Sequence, residues 1–264
     1  KNKGLLRNLI IKTTSTKNIM VLVQFGCQSD FIYEVLNFLK NSFKNINSIV
    51  YVVNLKSNDS IYDQDINLFY GKDYIIEKIC GLSFKISAKT FFQTNSTQAK
   101  QLFYLVKKFL EPNKEDILYD LYTGIGTIGQ ILSKNVKKVV GIDIVEDSIK
   151  YATENSKLNN LSNTKYFAGD MKNVFTTQFI EENGKPSVSI VNPPREGIDK
   201  KVIEKIIDIQ PKKIVYVSCN SSTLARDLVI FEKKYEISKL QTVDMFPHTS
   251  HVENVVLLKK LIDA

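Results

Sequence analysis

From residue 89 onward, short apolar strands alternate regularly with helical stretches, and this rhythm constrains the fold more than any other feature. Strand-like runs cover residues 117–122, 138–143, 165–168, 188–191, 214–218, 237–244 and 253–259. Helical spacing covers residues 127–133, 145–158, 200–209 and 223–232. The pattern predicts an α/β domain over residues 89–264, with a Rossmann-like, seven-stranded and mostly parallel sheet and helices on both faces.

The segment before residue 89 is less regular and predicts a smaller, separate α/β domain over residues 1–88. Strand-like runs cover residues 8–11, 19–25, 48–53, 74–79 and 83–86, and a helix is predicted over residues 30–43. Residues 57–65 are polar and predict a loop.

The overall charge is positive, because 36 Lys and Arg residues outnumber 28 Asp and Glu residues and give a formal charge of +8. Such an excess suits a polyanionic partner, although a Lys-rich composition kept for solubility would give the same count. No run approaches the roughly 18 apolar residues of a membrane helix, and none resembles a secretory signal. We therefore expect a cytoplasmic protein that does not contact a membrane.

The cysteines are few and scattered. Cys27, Cys80 and Cys219 form no CxxC pair, which argues against a disulfide framework, a zinc site or an iron–sulfur cluster, so no metal is expected. A lone cysteine is usually a small buried hydrophobe. Cys219, however, follows a predicted strand and precedes a predicted helix, and a helix N-terminus favours a thiolate.

A glycine-rich turn follows the first strand of the second domain. Gly124, Gly126 and Gly129 form a GxGxxG pattern, and Asp143 lies nineteen residues after Gly124, at the end of the next strand. This spacing is typical of loops that bind NAD or S-adenosylmethionine, in which the acid accepts hydrogen bonds from ribose hydroxyls. Asp120, just before the glycines, would repel a pyrophosphate but suits the cationic amino-acid end of S-adenosylmethionine.

Two further motifs end later strands. Asn192-Pro193-Pro194-Arg195 follows the fourth strand, and Pro-Pro stiffens a turn so that the preceding side chain points in a fixed direction. An [Asp/Asn]-Pro-Pro segment at a strand end resembles the substrate-facing motif of nucleic-acid methyltransferases and has no role in hydride transfer. The last motif, residues 244–253, holds both histidines, His248 and His251, and ends on a carboxylate at the start of an apolar run.

Together these motifs resemble the uracil-5 RNA methyltransferases that act on tRNA and 23S ribosomal RNA. The matching segments, in order, are residues 91–95 (FFQTN), 120–127 (DLYTGIGT), 192–197 (NPPREG), 217–227 (VSCNSSTLARD) and 244–253 (DMFPHTSHVE). The resemblance spans residues 89–264 and implies a class I, S-adenosylmethionine-dependent methyltransferase fold. Residues 1–88 resemble the central domain of the ribosomal RNA branch, which would face RNA.

The resemblance implies a role for each motif. Cys219 is expected to add to C6 of uracil as the nucleophile, and Glu253 to remove the C5 proton as the base. Val252 and Val255 flank Glu253, so we expect a raised pKa for its carboxyl group. Predicted contacts to S-adenosylmethionine are Gln93, Tyr122, Gly124, Thr127, Asp143, Asp170 and Asn192. Predicted RNA contacts are Arg195, Arg226 and His251.

Several of these residues have simpler interpretations. Tyr122 could be a core residue, Asp170 a helix cap, and Arg226 the partner of Asp227. Asn192 and Asp143 also depart from the family pattern, which mostly has Asp and Glu there, so an inactive RNA-binding relative is one alternative.

Other functions explain less of the sequence. An NAD-dependent oxidoreductase leaves the motifs at residues 192–195 and 244–253 without a role, and an exocyclic-amine methyltransferase needs no cysteine. We favour 23S ribosomal RNA over tRNA as substrate, and expect a monomer without the upstream oligonucleotide-binding barrel that the family commonly carries.

Overall fold

The computed structural model describes residues 4–261 and divides the chain into two compact units. The first unit ends at Thr94 and the second begins at Asn95, six residues beyond the boundary predicted after residue 88. Over residues 4–261, no helix has the length and apolar character needed to span a bilayer.

Over residues 4–94, the first unit contains six strands and one helix: β1 (Leu6–Thr13), β2 (Ile19–Phe25), α1 (Phe31–Ser42), β3 (Ser48–Val53), β4 (Asn67–Gly71), β5 (Tyr74–Ile79) and β6 (Leu82–Ser87). β1 to β4 form one sheet in chain order, and β5 and β6 form a hairpin. Only β2 and β3 are parallel, because α1 provides the crossover between them. Ile32 and Leu36 of α1 are buried in one cluster with Val23 and Ile49 of the sheet.

Strand β4 was not predicted from the sequence. Its five residues are exposed or half-buried, so they show no alternation between an apolar face and a polar face. It pairs antiparallel with β3, and Gly71 at its end has a φ of +80°. A Cβ atom at this glycine would overlap the carbonyl oxygen of Asn47, so no other residue fits this close approach.

A single lysine ties β1 to the segment that follows β6. The Lys12 Nζ atom donates to the carbonyl oxygens of Ser87, Ala88 and Thr90 at 2.8, 2.9 and 2.9 Å. Burial lowers the pKa of this amino group to about 8. The three acceptors satisfy the three donors of an ammonium group, so the turn just before Phe91 is held by one side chain.

The second unit contains seven strands: β7 (Ile117–Leu121), β8 (Lys138–Asp143), β9 (Thr164–Ala168), β10 (Val188–Val191), β11 (Lys213–Ser218), β12 (Tyr235–Val243) and β13 (Glu253–Lys260). They form one sheet in the order β12-β13-β11-β10-β7-β8-β9. All neighbours are parallel except β13, which runs antiparallel to β11 and β12. This confirms the predicted seven-stranded, mostly parallel α/β sheet.

Seven helices accompany this sheet: α2 (Ser96–Leu110), α3 (Thr127–Leu132), α4 (Glu146–Leu158), α5 (Met171–Val174), α6 (Thr177–Asn183), α7 (Lys200–Ile209) and α8 (Ser221–Phe231). Val202 of α7 and Leu224 of α8 share a buried cluster with Tyr119 and Tyr216 of the sheet. Helix α2 packs against β11, β12 and β13. The sequence prediction did not include α2, α5 or α6, although α2 buries seven regularly spaced residues.

Candidate active site

Cys219 and Glu253 meet at the junction of two neighbouring strands. β11 and β13 are antiparallel with Ser218 opposite Asn254, so the next positions in the same register are Cys219 and Glu253. Residues directly opposite in an antiparallel pair have Cβ atoms about 4.5–5.5 Å apart. Both side chains are half-buried, and therefore a thiol and a carboxyl group lie side by side at a partly solvent-accessible edge of the sheet.

Arg195 completes this cluster. Burial raises the pKa of both Cys219 and Glu253, and the positive charge of the Arg195 guanidinium group acts against that rise at both groups. Burial acts in the opposite direction and raises the pKa of the Glu253 carboxyl group to about 7, as predicted from its apolar neighbours. A carboxyl group with a raised pKa is a stronger proton acceptor than an ordinary one.

The thiol does not behave as the sequence suggested. Burial, followed by the negative charge of Glu253, raises the pKa of Cys219, and the lowering effect of Arg195 does not reverse this. The expected help from the α8 N-terminus is limited because Asn220 caps that helix. The Asn220 Oδ1 atom accepts from Ser222 N at 3.1 Å. The resting group is therefore a thiol rather than a thiolate.

The loop that carries Arg195 is fixed at both ends. Asn192 directly follows β10, and its backbone N–H donates to Leu121 O at 3.2 Å. The Arg195 carbonyl accepts from Asn220 Nδ2 at 2.9 Å and from Thr223 Oγ1 at 3.2 Å. The Asn-Pro-Pro-Arg segment therefore bridges the end of β7 and the first turn of α8.

Arg226 holds the same loop through hydrogen bonds to Asp227 and to the loop backbone. Its Nε atom donates to Asp227 Oδ1 at 2.8 Å, and its guanidinium group donates to the Glu196 carbonyl at 2.9 Å. The fully buried Asp227 also accepts from Tyr216 Oη and from Ile198 N, each at 2.8 Å. These contacts match the simpler interpretation of Arg226, and its predicted contact to RNA stays a prediction.

The glycine loop is held by a second buried acid. Asp120 is 1% exposed, and its Oδ2 atom accepts from Thr123 Oγ1 at 2.7 Å and from Gly129 N at 2.9 Å. Burial raises the pKa of this carboxyl group to about 6. Asp120 therefore holds the glycine loop through buried hydrogen bonds. The sequence suggested that it contacts the cationic end of S-adenosylmethionine, but its side chain is not exposed to a ligand.

Asp143 stands at the end of β8 and faces the loop. Its two oxygens accept from Gly124 N at 2.8 Å and from Val145 N at 2.9 Å. Gly124 has a φ of +55°, and a Cβ atom there would point into open space with no atom within 4 Å. A carboxylate beside an open glycine turn is the arrangement that a ribose requires.

Tyr122 lies between the glycine loop and several acids. It is half-buried with an unusual φ of +62°. Burial, and then the charges of Asp199, Asp170, Asp227 and Asp143, raise the pKa of its hydroxyl group to about 12. Surrounding carboxylates favour a cation, and the methyl donor carries a sulfonium and an ammonium group. The residues present therefore fit S-adenosylmethionine.

The remaining predicted site residues are placed as follows. Asp170 caps α5, accepts from Lys172 N at 2.9 Å and pairs with Lys172 Nζ at 3.6 Å. Thr127 is the first residue of α3, and Gln93 belongs to the first unit. His248 and His251 are exposed. Among residues 4–261, no group of three or more His, Cys, Asp or Glu side chains could hold a metal ion.

Sequence reasoning missed the supporting residues of the site. Asp227 and Asn220 hold the Arg195 loop, and Asp199 contributes charge near Tyr122. The available signal was positional for Asp199, which directly precedes the helix predicted over residues 200–209, where capping residues are common; Asn220 directly precedes α8, which begins two residues before the predicted start. The sequence suggested only Arg226 as a partner of Asp227, whereas its bonds to Tyr216 and Ile198 join residues that are distant along the chain.

Comparison with known proteins now decides the family. The sequence model of the tRNA (uracil-5-)-methyltransferase family matches residues 63–261. The chain belongs to this family. An uncharacterized RNA methyltransferase of Bacteroides thetaiotaomicron is 45% identical over 261 residues, covering 97% of this chain and 58% of the relative. A Clostridium tetani relative described in the same words is 42% identical over 263 residues, covering 98% of this chain and 57% of the relative.

A solved structure of the family has the same fold. The Pyrococcus abyssi tRNA (uracil-54, C5)-methyltransferase, in complex with S-adenosyl-L-homocysteine, superposes with a TM-score of 0.81 at 32% identity. The match covers 97% of this chain and 60% of that one. The chain thus has the fold of the S-adenosylmethionine-dependent uracil-5-methyltransferases and spans a little over half the length of its relatives.

Proposed function

We propose that this chain is the catalytic part of an enzyme that methylates C5 of a specific uridine in RNA, with S-adenosylmethionine as methyl donor. The observation that carries the proposal is the register that sets Cys219 beside Glu253, with the positive charge of Arg195 close to both. Family membership supports the reaction class, and it favours this function over an NAD-dependent oxidoreductase.

The chemistry follows from the weakness of uracil C5 as a nucleophile. The Cys219 thiol gives its proton to solvent, the thiolate sulfur forms a bond to C6, and the electron pair of the C5–C6 double bond moves so that C5 becomes carbanion-like. The bound donor supplies an electrophilic methyl group. After C5 has taken the methyl group, Glu253 accepts the C5 proton, the C5–C6 double bond re-forms, and the S–C6 bond breaks to release Cys219.

The raised pKa of Cys219 gives Arg195 a role in this scheme. A half-buried thiol beside a carboxylate resists ionisation, whereas the positive charge of a nearby guanidinium group stabilises the thiolate. We infer that Arg195 positions and activates Cys219. Because Arg195 also lowers the pKa of Glu253, the same charge keeps the base available near neutral pH.

The donor is proposed to lie along the carboxyl ends of β7 and β8. Asp143 and Gly124 would hold the ribose, Tyr122 would lie against the donor, and Asn192 would face the methyl group from the next strand. Gln93, Thr127 and Asp170 stay predicted contacts. The substitution of the usual Asp by Asn192 removes one negative charge but keeps hydrogen-bonding capacity.

The decisive test uses RNA in which 5-fluorouridine replaces uridine. Fluorine cannot leave C5 as a proton, so the wild-type protein with S-adenosylmethionine should accumulate a covalent complex that survives denaturing electrophoresis. Cys219→Ala should form none, while Cys27→Ala, which removes an exposed cysteine in the first unit, should react like wild type. A complex that persists in Cys219→Ala would assign the nucleophile to another residue.

The RNA substrate is proposed to be 23S ribosomal RNA, on the likeness of residues 1–88 to the central domain of that branch. Transfer RNA is the second candidate, favoured by the likeness to the Pyrococcus abyssi enzyme. Radiolabelled methyl transfer to purified, unmodified 23S ribosomal RNA and tRNA would separate the two. Incorporation into tRNA alone would overturn the first assignment. We expect a cytoplasmic monomer.

A further inference from the structure

Helix α2 and the edge strand β12 enclose an open groove in the second unit. At one end, Asn95 Nδ2 at the start of α2 donates to Met245 O at 3.0 Å, just beyond β12. At the other end, Lys239 Nζ lies over the Phe109 ring, 5.6 Å from its centre. The two elements therefore run side by side in opposite directions. The cavity between them measures about 320 Å³ and is lined by Gln101, Tyr104, Leu105, Lys108, Gln241, Thr242, Val243 and Asp244.

The α2 side of this groove has the composition of a nucleic-acid surface. Gln101, Tyr104 and Lys108 lie three and four residues apart and thus on one helix face. Tyr104 is 64% exposed, which leaves one face of its ring open for stacking. The fifteen residues of α2 include three lysines and no Asp or Glu. Lysines, amides and an exposed aromatic ring are what unpaired nucleotides bind.

The groove opens beside the proposed catalytic pair. Val243, at its near end, is opposite Glu253 in the β12–β13 register, and Asp244 follows immediately. Neighbouring strands are about 4.8 Å apart, so the near end lies within about one nucleotide of the reacting base. A nucleotide next to a uridine at Cys219 is therefore within reach of this groove.

We propose that this groove binds an unpaired nucleotide that flanks the target uridine, with its base stacked on Tyr104. The amides of Gln101 and Gln241 are placed to hydrogen-bond the base edge. Asp244 disfavours a phosphate at the near end, whereas Lys108, three turns along α2, attracts one at the far end. The inference rests on the proposed function, because it takes the Cys219–Glu253 edge as the place of the target.

The test measures binding of a fluorescein-labelled twelve-nucleotide oligouridylate by fluorescence anisotropy. Tyr104→Ala should raise the Kd about tenfold, since one stacked base is lost, whereas Tyr104→Phe should bind like wild type. Lys108→Ala should weaken binding more than Lys157→Ala, which removes the same charge from an exposed site on α4.

A photocrosslinking experiment locates the bound RNA. An oligouridylate containing 4-thiouridine should crosslink to the tryptic peptide of residues 101–107, which contains Tyr104. Equal affinity of Tyr104→Ala and wild type, or crosslinks that avoid residues 101–108 and 241–244, would overturn the groove as an RNA site.

These outcomes are separable from those of the proposed function. If the 5-fluorouridine complex forms but Tyr104→Ala binds like wild type, the reaction stands and the groove assignment falls. If no covalent complex forms while Tyr104→Ala still loses affinity, the groove binds RNA and the proposed chemistry is wrong.

Discussion

Two buried carboxyl groups of the same sheet have raised pKa values but opposite surroundings. Asp120, at the end of β7, accepts hydrogen bonds from Thr123 and Gly129 and is almost inaccessible to solvent. Glu253, at the start of β13, is half-buried, and among residues 4–261 no hydrogen-bond donor reaches its carboxylate. Burial is the largest cause of the upward pKa shift at both sites.

The difference teaches that a perturbed pKa does not identify a catalytic acid or base by itself. At Asp120 both interactions hold the glycine loop, so this carboxylate serves the fold. At Glu253 the oxygens keep their capacity to accept a proton, and a thiol and a guanidinium group lie next to them. Free hydrogen-bonding capacity in a cleft distinguishes the two roles.

The largest effect that tests this contrast is expected from Glu253→Gln. An amide cannot accept the C5 proton, so turnover should fall by about two to four orders of magnitude. Normal RNA should then accumulate as a methylated covalent adduct, measured by denaturing electrophoresis with labelled S-adenosylmethionine. Glu236→Gln, at an exposed position of β12, is the control. Wild-type turnover in Glu253→Gln would place the base elsewhere.

The same variant should not lose stability. The folded pKa of about 7 lies above the ordinary 4.5, so the contribution of this group to stability is greatest below pH 4.5 and declines as the pH rises to about 7. Because glutamine does not titrate, the Glu253→Gln variant does not lose this stability as the pH rises. Above pH 7 the variant should be more stable than wild type by about 1 kcal/mol, allowing for solvent screening of a half-buried group.

Asp120→Ala should show the opposite behaviour. It leaves the Thr123 hydroxyl and the Gly129 N–H buried without their acceptor, which should lower the free energy of unfolding by about 3 kcal/mol. Urea unfolding measures this, with the exposed Asp208→Ala as control. Adduct formation with 5-fluorouridine RNA should persist at low temperature. An Asp120→Ala variant that is as stable as wild type but inactive would show that Asp120, like Glu253, serves catalysis rather than the fold.

The pH dependence of the reaction tests whether Arg195 acts on Glu253 and Cys219 through its charge. Because the base acts as a carboxylate, kcat/KM should rise with pH through an inflection near 7. Arg195→Met removes a charge that lowers the pKa of Glu253 and Cys219, so the inflection should move to higher pH, by up to about one unit. Arg195→Lys should stay near the wild-type inflection. An unchanged inflection in Arg195→Met would leave this arginine a purely structural part of its loop.

The smallest effect is expected at the donor loop. Asp143→Asn replaces one oxygen by an amide group that cannot accept from Gly124 or Val145, so the loop should loosen without unfolding. Calorimetric titration with S-adenosylhomocysteine should show about fivefold weaker binding. The exposed Asp208→Asn should bind like wild type, and an equally tight Asp143→Asn would remove this residue from the donor site.

Much of the second unit was predictable because its strands are short β-branched runs and its motifs all stand at strand ends. The pairing and register of its last strands were not predictable. β13 is inserted between β11 and β12 by antiparallel pairing, so only the folded sheet shows that Cys219 lies opposite Glu253. Arg195 is separated from Cys219 by a helix and a strand, and the sequence suggested an RNA contact for it rather than an electrostatic effect on the thiol.

Strand β4 and helix α2 were missed by the sequence prediction for different reasons. β4 carries no apolar alternation, so its pairing with β3 depends on backbone geometry at Gly71. α2, in contrast, has a regular apolar face with Ala99, Leu102 and Phe103 buried, and helical periodicity would have found it. The raised pKa of Cys219 depends on burial and on Glu253, neither of which a lone cysteine in a sequence reveals.

Lys12 has a practical consequence for anyone who shortens this chain. The family match begins at residue 63, whereas the amino group that clamps the carbonyls of Ser87, Ala88 and Thr90 lies in β1. A fragment cut at the family boundary would keep Phe91 and Gln93 and yet lose the cation that holds the turn before them. An expression clone intended to preserve that turn therefore has to start upstream of β1.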